Sequence, residues 1–153
     1  MGGHREIVVG VDGTKSSERA LAWAYAEAAR RGAPLRAVTT WLWDPGDAVP
    51  LGGTPTIDLE LVAREIQDGA LNPVIKAAEA AVPQQVEVIR QVLRGTPADA
   101  LIAASKGAEL VVVGTHGRGP VRQFLMGSVS QAVIRHAKCP VVVMPPVDHA
   151  IQE

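Results

Sequence analysis

Short apolar runs that alternate with helical patterns are the feature that most constrains the fold of this chain. Four runs are rich in β-branched residues and are bounded by turn signals: 7–11, 35–41, 110–113 and 141–144. Three of them have almost no polar alternation, which is typical of strands buried on both faces of a parallel sheet. A fifth run, 86–92, alternates apolar and polar residues, so we expect one of its faces to be wetter.

Helical spacing of apolar residues predicts a helix in each interval between these strands. The first covers about 16–31 and is closed by a glycine. The second begins near Ile57 and is kinked or restarted at Pro73. The third opens on Thr96, a capping residue followed by proline and an acid, and the fourth starts near Gly127.

Strand and helix thus alternate four times before the last strand. This alternation predicts an α/β fold, a parallel sheet with helices on both faces and right-handed crossovers. There is no internal repeat, and we expect a single domain over residues 1–153. Its core spans 5–144, with a flexible loop rich in proline and glycine at 44–56 and a tail at 147–153.

Composition excludes several classes of protein. The net charge of the 153 residues is −1, which gives no field to attract nucleic acid or an anionic membrane. The apolar run at the start of the chain is too short for a signal peptide or a transmembrane helix. One cysteine, Cys139, lies among apolar residues, so we expect a buried, inert thiol and a cytoplasmic protein.

Ligands of open α/β sheets bind outside the carboxyl ends of the strands, where two glycine-rich segments of this chain lie. Residues 10–14 follow the first strand, and 114–120 follow the fourth. Glycine lets backbone N–H groups approach an anion, and a helix N-terminus adds partial positive charge. With hydroxyls from Ser128 and Ser130 and a cation from Arg118, the pattern predicts a phosphate site built mostly from backbone.

Each part of this pattern also has a structural interpretation. Asp12 could cap the first helix, and His116 could be a capping or surface residue. The usual enzyme signatures are missing from the sequence: there is no P-loop, no dinucleotide fingerprint, no zinc-ligand spacing and no nucleophile elbow.

The glycine spacing resembles that of a known family. Gly114-x-x-Gly117, nine further residues and then Gly127-Ser128 is similar to the G-x2-G-x9-G-[S/T] signature of ATP-binding universal stress proteins. The opening Ile7-Val8-Val9-Gly10-Val11-Asp12-Gly13-Thr14 resembles the first strand and turn of that family. The segment from Ser128 to Val143 resembles its last helix and strand.

The resemblance implies a five-stranded, mostly parallel, Rossmann-like sheet in the order 3-2-1-4-5, of the adenine nucleotide alpha hydrolase-like type. It implies that ATP, with Mg²⁺ near Asp12, lies beside the first and fourth strands and that Thr40 meets adenine through its backbone. The nucleotide-binding residues that follow are Gly10, Val11, Asp12, Thr40, Val113, Gly114, His116, Gly117, Gly127, Ser128, Val129 and Ser130, with Arg118 added for its charge.

Several functions remain open at this point. The family resemblance implies a nucleotide-responsive module for stress or signalling and not a metabolic enzyme. The alternatives are a cyclic AMP-binding protein of the same fold, a slow ATPase, an enzyme related to ATP pyrophosphatases and a ligand-free interaction protein. The apolar last strand, with Val141, Val142 and Val143, also predicts a homodimer, because an uncovered sheet edge invites a partner.

Overall fold

The computed structural model describes residue 3 and residues 5–42, 58–115 and 126–145. Its strands are β1 (Ile7–Gly10), β2 (Leu35–Trp41), β3 (Val88–Arg94), β4 (Leu110–Gly114) and β5 (Val141–Met144). Its α-helices are α1 (Lys15–Arg31), α2 (Leu59–Ile66), α3 (Asn72–Ala81), α4 (Pro97–Ser105) and α5 (Ser128–His136), and a π-helical turn, Gln67–Leu71, joins α2 to α3.

The five strands form one sheet in the order β3-β2-β1-β4-β5, which confirms the predicted order. Every pairing is parallel, so the sheet is fully and not mostly parallel. The chain adds β2 and then β3 on one side of β1, and it then returns to add β4 and β5 on the other side. The strand order therefore reverses between β1 and β4. This reversal opens a crevice at the carboxyl ends of β1 and β4.

Strand boundaries differ from the sequence-based ones at three places. β4 ends at Gly114 and not at residue 113. β1 ends at Gly10, although the N–H of Val11 still donates to the carbonyl of Val38 at 2.8 Å. β3 lies two residues later than predicted, at Val88–Arg94 instead of 86–92. It pairs with β2 along its whole length, from Leu35–Val88 to Trp41–Arg94, so its partner and not its own alternation sets its limits.

The sheet has an apolar core on each face. Ile7 and Val9 point to the face covered by α1 and α3, where they pack with Leu21, Tyr25 and Ile75. On the other face, Val8, Val38 and Val111 pack with Leu101 of α4 and Val133 of α5. The alternation along β1 explains why a strand without polar residues is stable here, since both of its faces are buried.

Helix α1 is fixed at both ends by the residues at its caps. The hydroxyl of Thr14 accepts a hydrogen bond from the N–H of Ser17 at 3.2 Å, and Gly32 closes the helix at φ 66°. Thr14 and not Asp12 is therefore the N-cap. Asp12 instead holds Thr14, because its carboxylate accepts from the Thr14 N–H at 3.0 Å and from its hydroxyl.

The segment between β2 and β3 departs most from the sequence interpretation. α2 starts at Leu59, after Asp58 as N-cap, two residues beyond the start that was predicted near Ile57. The restart predicted at Pro73 is present, but the chain passes into α3 through the π-helical turn. Pro73 cannot donate to the carbonyl four residues earlier, so the regular α-helical ladder is broken there, and the wider turn accommodates this.

Two expectations in the second half of the chain have different outcomes. The hydroxyl of Thr96 accepts from the N–H of Asp99 at 3.3 Å, which confirms it as the N-cap of α4. Cys139 is half-buried and not fully buried, although burial still raises the pKa of its thiol. Among the described residues, no helix is both long and apolar enough to cross a membrane.

Candidate functional site

A cleft of about 790 Å³ opens at the carboxyl ends of β1, β2 and β4. Its volume is in the range of pockets that hold small molecules and cofactors. The structure brings the predicted site residues of the described ranges together on its walls: Gly10, Val11, Asp12, Thr40, Val113, Gly114, Gly127, Ser128, Val129 and Ser130. His116, Gly117 and Arg118 lie outside the described residues.

The N-terminus of α5 forms the polar end of this cleft. Gly127 is its N-cap, and no side chain caps the helix there. By helix geometry, the N–H groups of the first turn have no intrahelical acceptor and carry partial positive charge. Ser128 is exposed beside them, whereas Ser130 is buried.

The hydroxyl of Ser130 points into the protein. It donates to the carbonyl of Gly127 at 2.9 Å and lies 3.5 Å from the carbonyl of Thr115. Because a hydroxyl has only one proton to donate, Ser130 has none left for an anion in this arrangement. Its contribution to the cleft is through its backbone, and the hydroxyl placed for a ligand is that of Ser128.

Two glycines of the predicted site pack closely against other parts of the protein. A Cβ on Gly114 would overlap Ser16, whose carbonyl carbon would be 3.0 Å away, so the start of α1 packs directly on β4. A Cβ on Gly10 would lie 2.9 Å from a terminal methyl of Leu101. Neither glycine is therefore evidence for a ligand by itself, although both line the cleft.

The end of β2 exposes backbone polar groups to the cleft. Along β2, the N–H of Leu35 and the carbonyl of Trp41 bond on the β3 side, whereas the carbonyl of Val38 bonds on the β1 side. Because strand residues alternate in this way, the N–H and C=O of Thr40 point to the β1 side. β1 has ended at Gly10, opposite Val38, so these groups face the cleft instead of a neighbouring strand.

The far half of the cleft was not predicted from the sequence. The additional lining residues there come from the end of β2, from α2 with the π-helical turn, and from the start of α4: Trp41, Leu42, Glu65, Ile66, Gly69, Ala70, Gly95, Pro97 and Leu101. Gly95 directly follows β3, so the rule that ligands bind at strand ends could have found it. Nothing in the sequence pattern indicates how the π-helical turn approaches the sheet.

The charges on the described walls are negative. Asp12 and Glu65 are the charged side chains among the described lining residues. Within the described ranges, no group of three or more histidine, cysteine or acidic side chains is arranged to hold a metal ion. An anionic ligand would therefore be attracted by the backbone at α5 and not by a cationic side chain of these walls.

An open parallel sheet with helices on both faces, and with a cleft where the strand order reverses, defines the doubly wound, Rossmann-like α/β class. The chain belongs to the universal stress protein family, whose model matches residues 3–145.

Curated relatives support this assignment. The universal stress protein Rv2005c of Mycobacterium tuberculosis is 39% identical over 145 residues, which cover 92% of this chain and 45% of the relative. The universal stress protein Rv2623 of the same organism is 36% identical over 137 residues, or 90% of this chain and 44% of the relative. The chain thus spans about half the length of the curated relatives it matches.

Solved structures give the same result. A universal stress protein crystallised in complex with cAMP has a TM-score of 0.61 and 29% identity, covering 94% of this chain and 98% of the other. A universal stress protein from Archaeoglobus fulgidus in complex with dAMP has a TM-score of 0.61 and 28% identity, covering 94% and 99%.

Proposed function

We propose that this chain binds an adenine nucleotide in the cleft, with ATP and Mg²⁺ as the ligand. The observation that carries the proposal is the start of α5, which lines the cleft and at which Gly127 offers no capping side chain. An anion is stabilised at such a helix terminus. The phosphates would lie against 127–130, with Ser128 as the hydroxyl donor, and Gly114, His116, Gly117 and Arg118 complete this end by family resemblance.

The opposite end of the ligand would be the adenine base. The outward N–H and C=O of Thr40 are a donor and an acceptor side by side, which matches the acceptor and donor on one edge of adenine. Val11 and Val113, at the ends of β1 and β4, line the cleft between the base and the phosphates.

Asp12 is the residue proposed for Mg²⁺. One of its oxygens accepts from Thr14, which orients the carboxylate at the end of β1 and leaves the other oxygen for a metal-bound water. Magnesium typically keeps several waters and uses one or two carboxylates together with the phosphates, so a single aspartate fits this chemistry.

Calorimetric titration with ATP, in the presence and absence of Mg²⁺, tests this proposal. We expect ATP to bind, Mg²⁺ to strengthen binding and GTP to bind more weakly, because its base reverses the donor and acceptor that face Thr40. No binding of ATP, AMP or cAMP would contradict the proposal. Identifying any nucleotide released when the purified protein is denatured is an independent check.

Cyclic AMP is the second candidate ligand. The related structure in complex with cAMP supports it, as does a cleft whose described walls carry no cation for a triphosphate. Competition between ATP and cAMP for the same protein separates the two, since the preferred nucleotide displaces the other at the lower concentration.

We infer a nucleotide-responsive stress or signalling module and not a metabolic enzyme, with slow ATP hydrolysis as the alternative. In support, the Asp12 carboxylate already accepts hydrogen bonds from Thr14, which suits an orienting role better than that of a general base. Phosphate release during prolonged incubation with ATP measures any turnover, and multiple turnovers within minutes would contradict this view.

A homodimer through β5 is the assembly we propose. All four residues of β5 are only half-buried, and the strand forms one edge of the sheet. Pro140 and Met144 use their carbonyls to bond β4, so by alternation the N–H and C=O of Val141 and Val143 point away from the sheet. An antiparallel pairing with the same strand of a second copy would satisfy these groups.

We also propose that residues 1–153 form one domain and that the protein is cytoplasmic. The two apolar cores share one sheet, and the single cysteine suits a reducing compartment. A single cooperative unfolding transition and recovery of the protein in the cytosolic fraction are the corresponding measurements.

A further inference from the structure

The far wall of the cleft contains the π-helical turn Gln67–Leu71. The N–H of Asn72 donates to the carbonyl of Gln67, five residues earlier, and Leu71 is fully buried below the turn. Pro73 has no N–H, so the carbonyl of Gly69 lacks the donor it would have in a regular α-helix. π-helical turns inside helices are frequent at functional sites.

Within the described part of the chain, nothing in the packing or the backbone requires glycine at position 69. Its φ is not positive, and a Cβ built on it would meet no atom of the described residues within 4 Å. Glycine destabilises helical segments relative to alanine, so folding alone favours a side chain here. Because Gly69 lines the cleft, a ligand that approaches its backbone would account for glycine at this position.

The surroundings of Gly69 define what kind of ligand group fits. Ile66 and Ala70 flank it on the same wall, and Leu101 reaches the cleft from the opposite face of the sheet, where it packs with the α4–α5 core. Glu65 stands at the same end of the cleft. A carboxylate repels phosphate, and apolar walls accept a flat, uncharged ring, so this end suits a base.

We propose that Gly69 determines specificity for the base: the purine lies against its backbone, and the absence of a side chain keeps this place open. The inference rests on the proposed function, since it assigns the base end of the same nucleotide. Gly69 lies in the π-helical turn, outside the segment that the glycine signature covers.

The test compares wild type with Gly69→Ala and Gly69→Leu by calorimetric titration with ATP and by thermal unfolding of the nucleotide-free protein. Ala77→Leu, which adds bulk at an exposed position of α3 away from the cleft, is the matched control. We expect Gly69→Leu to weaken ATP binding tenfold or more and Gly69→Ala threefold or more. The melting temperature of Gly69→Ala should be equal to or above that of wild type, and Ala77→Leu should bind like wild type.

The outcomes separate this inference from the proposed function. If wild type binds no adenine nucleotide, both are overturned. If wild type binds ATP and both Gly69 variants bind within twofold of it, only the role of Gly69 is overturned. A lower melting temperature of Gly69→Ala would also overturn it, because glycine would then serve the fold. If Gly69→Leu does not fold, Gly69→Ala alone decides.

Discussion

The backbone N–H of Gly127 donates a hydrogen bond of 2.6 Å to the carbonyl oxygen of Thr115, joining the end of β4 to the start of α5. The N–H of Thr115 in turn lies 3.1 Å from the carbonyl oxygen of Met144 and 3.1 Å from the hydroxyl oxygen of Ser16. One residue therefore connects the edge strand, the start of α1 and the start of α5. The polar end of the cleft is held by backbone, which leaves its N–H groups in a fixed position.

Gly114→Ala should destabilise the protein by about 1–3 kcal/mol, the usual effect of added bulk in a well-packed site. The new Cβ would overlap Ser16, part of the backbone of α1, and would disturb the hydrogen bond from Thr115. Urea unfolding measures the change. Gly10→Ala is the matched control: its Cβ meets only the end of the Leu101 side chain, so we expect a smaller loss. Equal losses would contradict this assignment.

Ser128→Ala and Ser130→Ala should affect different properties. Ser128 is exposed at the start of α5, so its loss should weaken ATP binding by about 1–2 kcal/mol without a change in stability. Ser130 is 1% exposed and donates within the protein, so its loss should lower stability by about 1 kcal/mol and leave most of the binding intact. Calorimetry and urea unfolding of both variants are the measurements, and the reverse assignment would show that the Ser130 hydroxyl reorients toward the ligand.

Val143→Pro should convert the proposed dimer to a monomer, because it removes an N–H at the outer edge of β5. Val142→Lys is a poorer test, since Val142 packs against the core under α1 and the charge would also affect folding. Light scattering at micromolar concentration gives the mass. Leu59→Lys, at an exposed position of α2, is the control and should stay dimeric. A monomeric wild type, or a dimeric Val143→Pro, would exclude this interface.

Glu27 makes stability depend on pH in the acid range. Hydrogen bonds from Arg30 and Arg31 lower the pKa of its carboxyl from 4.5 to about 2. A carboxyl with a lower pKa in the folded state stabilises above its unfolded pKa, and this contribution is lost as pH falls from about 4.5 to 2. At pH 7, Glu27→Gln should lower the free energy of unfolding by on the order of 1 kcal/mol; the effect is small because water screens ion pairs at the surface.

The difference between wild type and Glu27→Gln should shrink as the pH approaches 2, in urea unfolding at several pH values. Glu79→Gln, at an exposed position of α3, is the control and should track wild type throughout. A constant difference across this range would mean that the ionised carboxylate of Glu27 is not the source of the effect.

The alternation of strands and helices and the near half of the cleft could be predicted from the sequence because they depend on local patterns. Gly32 closes α1, Thr96 caps α4, and the strand-end rule brings Asp12 and Gly127 to one edge of the sheet. These signals need only a few neighbouring residues. The predicted strand order came from family resemblance, and the structure confirms it.

What the sequence could not predict depends on contacts between distant elements. The π-helical turn combines a break at Pro73 with the burial of Leu71. Neither residue spacing nor helix propensity predicts that these two effects produce a π-helical turn. The inward rotamer of Ser130 depends on carbonyls that only the folded chain provides. The limits of β3 differ from the predicted ones because they are set by its pairing with β2.

The junction at Thr115 also has a kinetic consequence. Its amide proton is shared between the edge strand and α1, while its carbonyl holds the amide of Gly127. Local openings of a protein expose such amides in cooperative groups. The amides of Thr115 and Gly127 should therefore exchange with solvent deuterium at one common rate. An opening that separates β5 from the sheet should also free the first turn of α5.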